Sequence, residues 1–321
     1  MSAASAAQVI EALRSRDHDV VVIDLARGRL SASDEAALLA AKIAKAPPAR
    51  TARDNLPAVV SSVAATDLDL AFLALHGGSG ENGTIQSVLD LAGMPYTGSG
   101  RLGSALAWDK AVAKQLFLAA GVPTPPWLLA PQTGAAVAEA LDYPVIVKPG
   151  GQGSTVGLSR VDRPDALADA IAIAERFDSE VLIERFVPGR ELTVGILGDE
   201  ALAVGEIIPA HGDIFDYEAK YQAGGAAEIF PADVSAETAS EVQRLGLAAH
   251  RALKLNDYSR VDFRMDPAGG LWCLEVNTLP GLSSGSLLPQ SAAAAGIDFP
   301  TLCERICAAA LVRHSRGGSN D

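Results

Sequence analysis

Two acidic residues face each other on segments that read as paired strands. That pattern restricts the chain to folds with an antiparallel sheet that carries positive charge or a ligand on one face. Residues 260–266 read RVDFRMD and residues 271–277 read LWCLEVN, with the turn signal PAGG between them. Alternation puts Val261, Phe263 and Met265 on one face, and Arg260, Asp262 and Arg264 on the other. On the second strand Trp272, Leu274 and Val276 alternate with Cys273, Glu275 and Asn277. A two-residue turn at Ala268 and Gly269 sets Asp262 opposite Glu275, and Arg260 opposite Asn277. Opposed carboxylates repel unless something positive sits between them. Oxygen ligands of this kind suit magnesium, and few carboxylates on the metal leave room for substrate phosphates. A solvated polar face, with Arg260 or Arg264 neutralising the acids, satisfies the same pattern.

A second stretch, YPVIVKPGGQGSTVG at residues 143–157, delivers Lys148 on a buried strand just ahead of a glycine-rich turn with two hydroxyls. Such turns present backbone N–H groups to phosphate oxygens, and the lysine adds a point charge. The lysine precedes the glycines, so this is not a Walker loop. Taken alone, the stretch reads equally as a mobile surface hairpin.

Composition narrows the function classes. The chain has 321 residues, 49% hydrophobic and 20% charged, enough core-forming material for two or three structural units. A net charge of -13 argues against nucleic-acid binding and against adsorption to an anionic membrane. The three cysteines, Cys273, Cys303 and Cys307, make no disulfide framework, and the last two sit one helical turn apart in an apolar stretch. No apolar run reaches the length of a membrane span, and the first residues lack a basic region followed by an apolar one, so a cytoplasmic protein is expected.

Along the chain, residues 9–16 predict a helix, 19–25 a buried strand and 68–75 a second strand. The latter ends in HGGSGENG, residues 76–83, with a helix to residue 91. Strand, glycine-rich loop and helix make an α/β unit that binds ligands at the carboxyl ends of its strands. After PYTGSG at 95–100 come a helix at 110–120, a strand at 144–148, a helix near 164–177 and a strand at 181–184. A third region opens near Val187 with a strand at 191–197. It runs through the acidic hairpin to a helix at 299–312.

The ordered set of motifs resembles the D-alanine–D-alanine ligases of the ATP-grasp superfamily. The matching pieces are HGGSGENG, PYTGSG, Asp109-Lys110, VKP with QGSTVG, and ELTV from Glu191. They continue through YEAKY at 217–221, Arg260-Val261-Asp262, EVNTLPG from Glu275, and SLLP at 286–289, and they cover nearly the whole chain in order. The resemblance implies an α/β ATP-grasp fold of three domains, residues 1–99, 100–186 and 187–321. The first would be a doubly wound parallel-sheet (preATP-grasp) domain lacking its first strand. It implies ATP held between two antiparallel sheets, with Lys110, Lys148 and Lys220 on its phosphates, Glu184 and the backbone of Val187 on adenine, and Glu191 on the ribose. Asp262, Glu275 and Asn277 would bind two magnesium ions, or manganese. Arg260 and the N–H of Gly281 would stabilise an oxyanion, Ser286 with Leu287 would hold the second substrate's carboxylate, and His76 would sit beside the first substrate. Residues 217–221 would close over the site, with Tyr221 paired to Ser154.

The implied chemistry is ATP-dependent joining of two amino acids through an acylphosphate, with D-alanine as the expected substrate and peptidoglycan precursors as the expected end. Another amino-acid pair, or a poorly active ATP-binding homologue, are the alternatives. The expected partners are small amino acids and ATP, with no nucleic acid and no membrane, in a possible homodimer. The chain departs from the family pattern at Glu81-Asn82, where Glu-Asp is common, and near Glu228, where the family has a tyrosine ahead of Phe230. The family also opens with a strand and a glutamate loop ahead of the first helix, and Met1 falls on a valine of that pattern. The expectation is therefore a reading frame that begins upstream, a weakly held first amino acid, and an N-terminal domain that is the least stable part.

Overall fold

The computed structural model describes residues 2–39, 55–153, 156–210 and 225–317. Ser154, Lys220 and Tyr221, and with them most of the expected closing segment, lie outside the described residues.

The first helix, Ser2–Arg14, starts well before the expected residue 9 and buries Ser5, Val9, Ala12 and Leu13 at helical spacing. It shares one hydrophobic core with Leu73, Ile85 and Tyr96, and with Leu282, Leu288 and Ile306 from the end of the chain. The two parallel strands expected in this region are largely absent among the described residues. Residues 19–25 yield only β1, Ile23–Asp24, antiparallel to β2, Gly28–Arg29. Asp24 Oδ1 accepts from the N–H groups of Ala26 and Arg27, which turns the chain back on itself after two residues. Residues 68–75 yield one parallel bridge, Ala71 to Tyr96. There Ala71 N donates to Pro95 O, and Thr97 N to Ala71 O. The next donor, Leu73 N, goes to the Thr97 hydroxyl at 3.0 Å instead of a strand carbonyl, and the ladder stops.

Regular sheets dominate the rest. β3 (Trp127–Leu129), β4 (Val145–Pro149), β5 (Ser159–Val161) and β6 (Val181–Arg185) form an antiparallel sheet in the order β3-β6-β4-β5. Helices Gly134–Leu141 and Leu167–Ala174 cover it through Val137, Leu141, Leu167 and Ala174. β7 (Arg190–Leu197), β8 (Glu200–Pro209), β9 (Ala226–Ile229), β10 (Tyr258–Met265) and β11 (Leu271–Asn277) form a second antiparallel sheet, ordered β11-β10-β7-β8-β9. Its core side packs on helices Ala236–Ala252 and Lys110–Ala119 through Val242, Leu245, Ala113 and Phe117. A glycine is required at the turn into β7. Gly189 has φ +116°, and a Cβ there would collide with the backbone oxygen of Met265.

The β10–β11 hairpin reaches the expected pairing by a different route. Arg260 pairs with Asn277 and Asp262 with Glu275, but Phe263 pairs with Cys273 and Met265 with Leu271. The turn is therefore a five-residue loop, not the two-residue turn that the sequence suggests. Asp266 organises it, with Oδ1 accepting from Ala268 N and Gly270 N and Oδ2 from the Trp272 indole. A bulge at Leu274 restores the register between the loop and Glu275. Three face assignments are thereby reversed, since Trp272 pairs with the cleft-lining Arg264. Cys273 is fully buried with Phe263 in the sheet's core, and Leu274 turns into the cleft. Burial of an apolar thiol against Phe263 outweighs the simple alternation.

Candidate active site

A cleft opens between the two antiparallel sheets, lined by side chains of both. β4 lends it Ile146 and Lys148, β6 Glu184, β10 Asp262 and Arg264, and β11 Leu274 and Glu275. Lys110 enters from the start of its helix.

Glu184 sits at one end, its carboxylate nearly inaccessible to solvent. Lys148 Nζ donates to its Oε1 at 2.6 Å and Lys114 Nζ to its Oε2 at 3.0 Å. Burial alone would raise the Glu184 carboxyl, but the two ammonium groups outweigh it and hold the carboxyl below its ordinary value. Beside it, Val187 O accepts from Arg264 Nε at 3.0 Å, and the same guanidinium reaches Glu191 Oε2 at 3.5 Å.

At the other end, Asp262 is 7% exposed and takes four donors. Its Oδ1 accepts from Arg260 Nε at 2.9 Å and Thr193 Oγ1 at 2.7 Å, and its Oδ2 from Arg260 Nη2 at 2.8 Å and Asn277 Nδ2 at 2.9 Å. These occupy the lone-pair positions of a carboxylate in full. Glu275, across the strand pair, lies 3.5 Å from Lys110 Nζ, which also donates to Gln152 O at 2.6 Å. The facing acids are thus each neutralised by a different cation, one from their own sheet and one from a helix.

A smaller cavity adjoins, lined by Glu81, Lys110, Glu275, Asn277 and Thr278. Burial, with Glu275 nearby, pushes the Glu81 carboxyl up to about 7, against a backbone N–H from Gly77 and the charges of Lys110 and Arg260. Asn82 does not disturb this loop, because its Oδ1 accepts from Thr84 N at the start of the helix Thr84–Leu91.

His76 makes its hydrogen bonds to neutral groups. Its Nδ1 lies 2.8 Å from Leu279 O, which can only accept, so Nδ1 carries the proton. Nε2 then accepts from Ser5 Oγ at 2.9 Å, and Ser5 Oγ in turn accepts from Leu282 N. Burial, chiefly, lowers His76 to about 4 and keeps it neutral. Gln8 on the same first helix accepts from Ser284 N, so one helix face fixes the loop after β11. In that loop Ser286 is the N-cap residue of the helix Leu287–Ala294, yet its side chain makes no cap. Its Oγ accepts from Ser283 N instead, and a Cβ on Gly281 would come within 2.7 Å of it. Leu287 is buried against Ile207.

Family comparisons agree along the chain. The family model described as D-ala D-ala ligase N-terminus matches residues 1–99, and that described as D-ala D-ala ligase C-terminus matches residues 116–308. The chain belongs to the D-alanine–D-alanine ligase family. It is 42% identical to the D-alanine–D-alanine ligase of Geobacter sulfurreducens over 98% of this chain and 90% of that one. The enzyme of that name from Nitratidesulfovibrio vulgaris strain DP4 is 48% identical over 76% of this chain and 80% of its own. Among solved structures, the Bacillus anthracis ligase complexed with ATP superimposes with TM-score 0.70 at 34% identity, covering 79% of this chain and 83% of that one. The VanG D-Ala:D-Ser ligase from Enterococcus faecalis gives 0.68 at 32% identity, covering 76% and 73%. The fold is thus that of the ATP-grasp ligases, and the chain is an ATP-dependent ligase of this family.

Within that frame, the structure brings together Lys110, Lys148, Glu184, Val187, Glu191, Arg260, Asp262, Glu275 and Asn277 around the cleft and the cavity beside it. It gathers His76, Gly281, Ser286 and Leu287 around the loop after β11. Three participants went unread in the sequence. Thr193 faces Asp262 across the β7–β10 pair, Glu81 was only part of a glycine-rich motif, and Lys114 was not singled out. Its spacing of one helical turn from Lys110 was the available signal.

Proposed function

We propose that the chain joins two D-alanine molecules in an ATP-dependent reaction through an acylphosphate, feeding peptidoglycan precursor synthesis. The observation that carries this reading is the convergence of Lys110, Lys148, Asp262 and Glu275 on one cleft between two antiparallel sheets. Lys110 and Lys148 offset phosphate charge, Glu184 and the backbone at Val187 hold adenine, and Glu191 holds the ribose. Arg260 and the N–H of Gly281 face the oxyanion of the tetrahedral intermediate. Ser286 and Leu287, at an uncapped helix start, hold the carboxylate of the attacking amino acid. His76, neutral and hydrogen-bonded through both nitrogens, shapes the first substrate's seat and transfers no proton at neutral pH.

Asp262, Glu275 and Asn277 supply only oxygen ligands, which suits magnesium, and manganese as a substitute. When bound, the metal ions would neutralise the phosphates during transfer. Asp262 has no free lone pair as it stands, so one of its four donors must release it. Asn277 is the donor suited to this, because turning its amide replaces an N–H by a carbonyl oxygen.

Phosphate release from ATP across D-alanine, D-serine, other D-amino acids and their L-forms, with the product identified by mass spectrometry, tests the reading. D-Alanyl-D-alanine should dominate. A dominant product from another pair would reassign the substrate, and ATP binding without release for any amino acid would overturn the ligase assignment.

A further inference from the structure

Glu184 has two cations and only one of them faces the cleft. Lys148 lines it, whereas Lys114 lies behind the carboxylate with its side chain 1% exposed. Lys114 Nζ donates to Thr124 Oγ1 at 2.7 Å and to Glu184 Oε2, and it sits 5.3 Å over the ring of Trp127. Thr124 in turn donates to Cys273 O at 2.8 Å, which ties the ammonium to β11. Each of these contacts of Lys114 is internal to the protein, and none would be surrendered to a ligand. Lys148 is placed otherwise. Its bond to Glu184 is short, but its ammonium opens on the same cleft that is read above as the phosphate site.

The charge count gives this arrangement a direction. One carboxylate with two ammonium groups leaves a surplus positive charge in a buried place, which an incoming polyanion relieves. Lys148 can turn to phosphate only if Glu184 keeps a counter-ion, since a carboxylate stripped of its partners at this depth would take up a proton. A protonated Glu184 would donate as well as accept, and so would tolerate a 6-oxo purine as readily as a 6-amino one.

We propose that Lys114 is a positioning residue for the base end of the nucleotide. It stays with Glu184 when Lys148 moves to phosphate, and so keeps Glu184 a pure acceptor that selects a purine bearing a 6-amino group. The inference rests on the placement of adenine at Glu184 and phosphate at Lys148 proposed above.

The test compares ATP with inosine triphosphate, each with magnesium, by calorimetric binding and by steady-state phosphate release. Lys114→Met should raise the KM for ATP roughly tenfold, change kcat little, and lower the ATP-to-inosine-triphosphate ratio of kcat/KM roughly tenfold or more, the scale of one mispaired polar contact. Thr124→Val, nearly isosteric, loosens the ammonium without removing its charge and should shift the ratio in the same direction by a smaller factor. It decides the matter if Lys114→Met does not fold. A variant of either kind that melts earlier but keeps the wild-type ratio would overturn the proposal and leave Lys114 a structural cation. Glu184→Gln separates the two layers. If it alone lowers the ratio, the role of Lys114 falls; if it leaves ATP affinity and ratio untouched, the adenine placement itself falls.

Discussion

The cleft between the sheets and the corner around His76 solve the same problem, holding buried polar groups, by opposite means. In the cleft, Glu184, Asp262 and Glu275 are each matched by lysine or arginine, and the partners come from strands and one helix. At the corner the hydrogen bonds among the described residues join neutral groups. Leu282 N–H, Ser5, His76 and Leu279 O form a neutral relay between a helix face and a loop. Charge pairs tolerate a polyanion arriving, because cations can be redistributed. A neutral relay tolerates nothing except its own tautomer. The difference supports the proposal that phosphate chemistry belongs to the first region and shape recognition to the second.

The sharpest way to break that division is Glu275→Ala. Phosphate release with ATP, magnesium and D-alanine should fall at least about a hundredfold, the scale of one lost electrostatic contact to a transferring group. The melting temperature should move little, because Glu275 is part-exposed and its loss removes one of two opposed acids from the sheet. Near-normal release would make the facing acids structural.

The pH dependence of stability contrasts the two regions directly. His76 is lowered from 6.5 to about 4, so the unfolded chain takes up its proton first as pH falls. Stability should decline between pH 6.5 and 4 on this account, by about 3 kcal/mol in full. Glu81 is raised from 4.5 to about 7, so here the folded chain holds the extra proton. Its contribution is present in acid and fades as pH rises from 4.5 to 7, again by about 3 kcal/mol. In urea unfolding across this range, His76→Gln should flatten the acid decline and Glu81→Gln should steepen it. His250, also held near 4 by burial, leaves a residual slope in both variants. Parallel curves for all three proteins would show that neither group titrates as its surroundings require.

The smallest effects distinguish single hydrogen bonds. Thr193→Val removes one of the four donors to Asp262, and Ser5→Ala removes the middle of the neutral relay. Each should cost about 1 kcal/mol in chemical denaturation. Only Thr193→Val should alter the magnesium concentration needed for half-maximal release, and only Ser5→Ala the KM for the first amino acid. Crossed effects would merge the two regions into one.

Much of the cleft was legible because its residues lie on strands and beside glycine turns, where spacing and chemistry coincide. The facing of Asp262 and Glu275 followed from pairing two segments, yet it was reached through the wrong turn. A two-residue loop and a five-residue loop followed by a bulge give the same partners beyond Leu274, and opposite faces before it. Sequence alternation carries no sign of a bulge, so Cys273 looked cleft-facing and Leu274 looked buried. The parallel strands of residues 19–25 and 68–75 were over-read for a related reason. Apolar β-branched runs announce burial, whereas a ladder needs successive backbone partners, and the Thr97 hydroxyl takes the place of one. Lys114 was invisible because a lysine on a helix is solvated by default, and only Glu184, 70 residues away, makes it internal.

The five-residue loop at the end of the hairpin lies beyond both the bulge at Leu274 and the paired residues next to it. Pro267, Ala268 and Gly269 are exposed at the tip, and Asp266 closes the loop on its own backbone. Changes of length at that tip are taken up in the loop, since the pairs Met265–Leu271 and Phe263–Cys273 fix the register between it and Glu275. The tip is therefore a natural insertion point, where a fluorophore tag or an extra peptide could be carried a few residues from the proposed phosphate site while the pairing of Asp262 with Glu275 is kept.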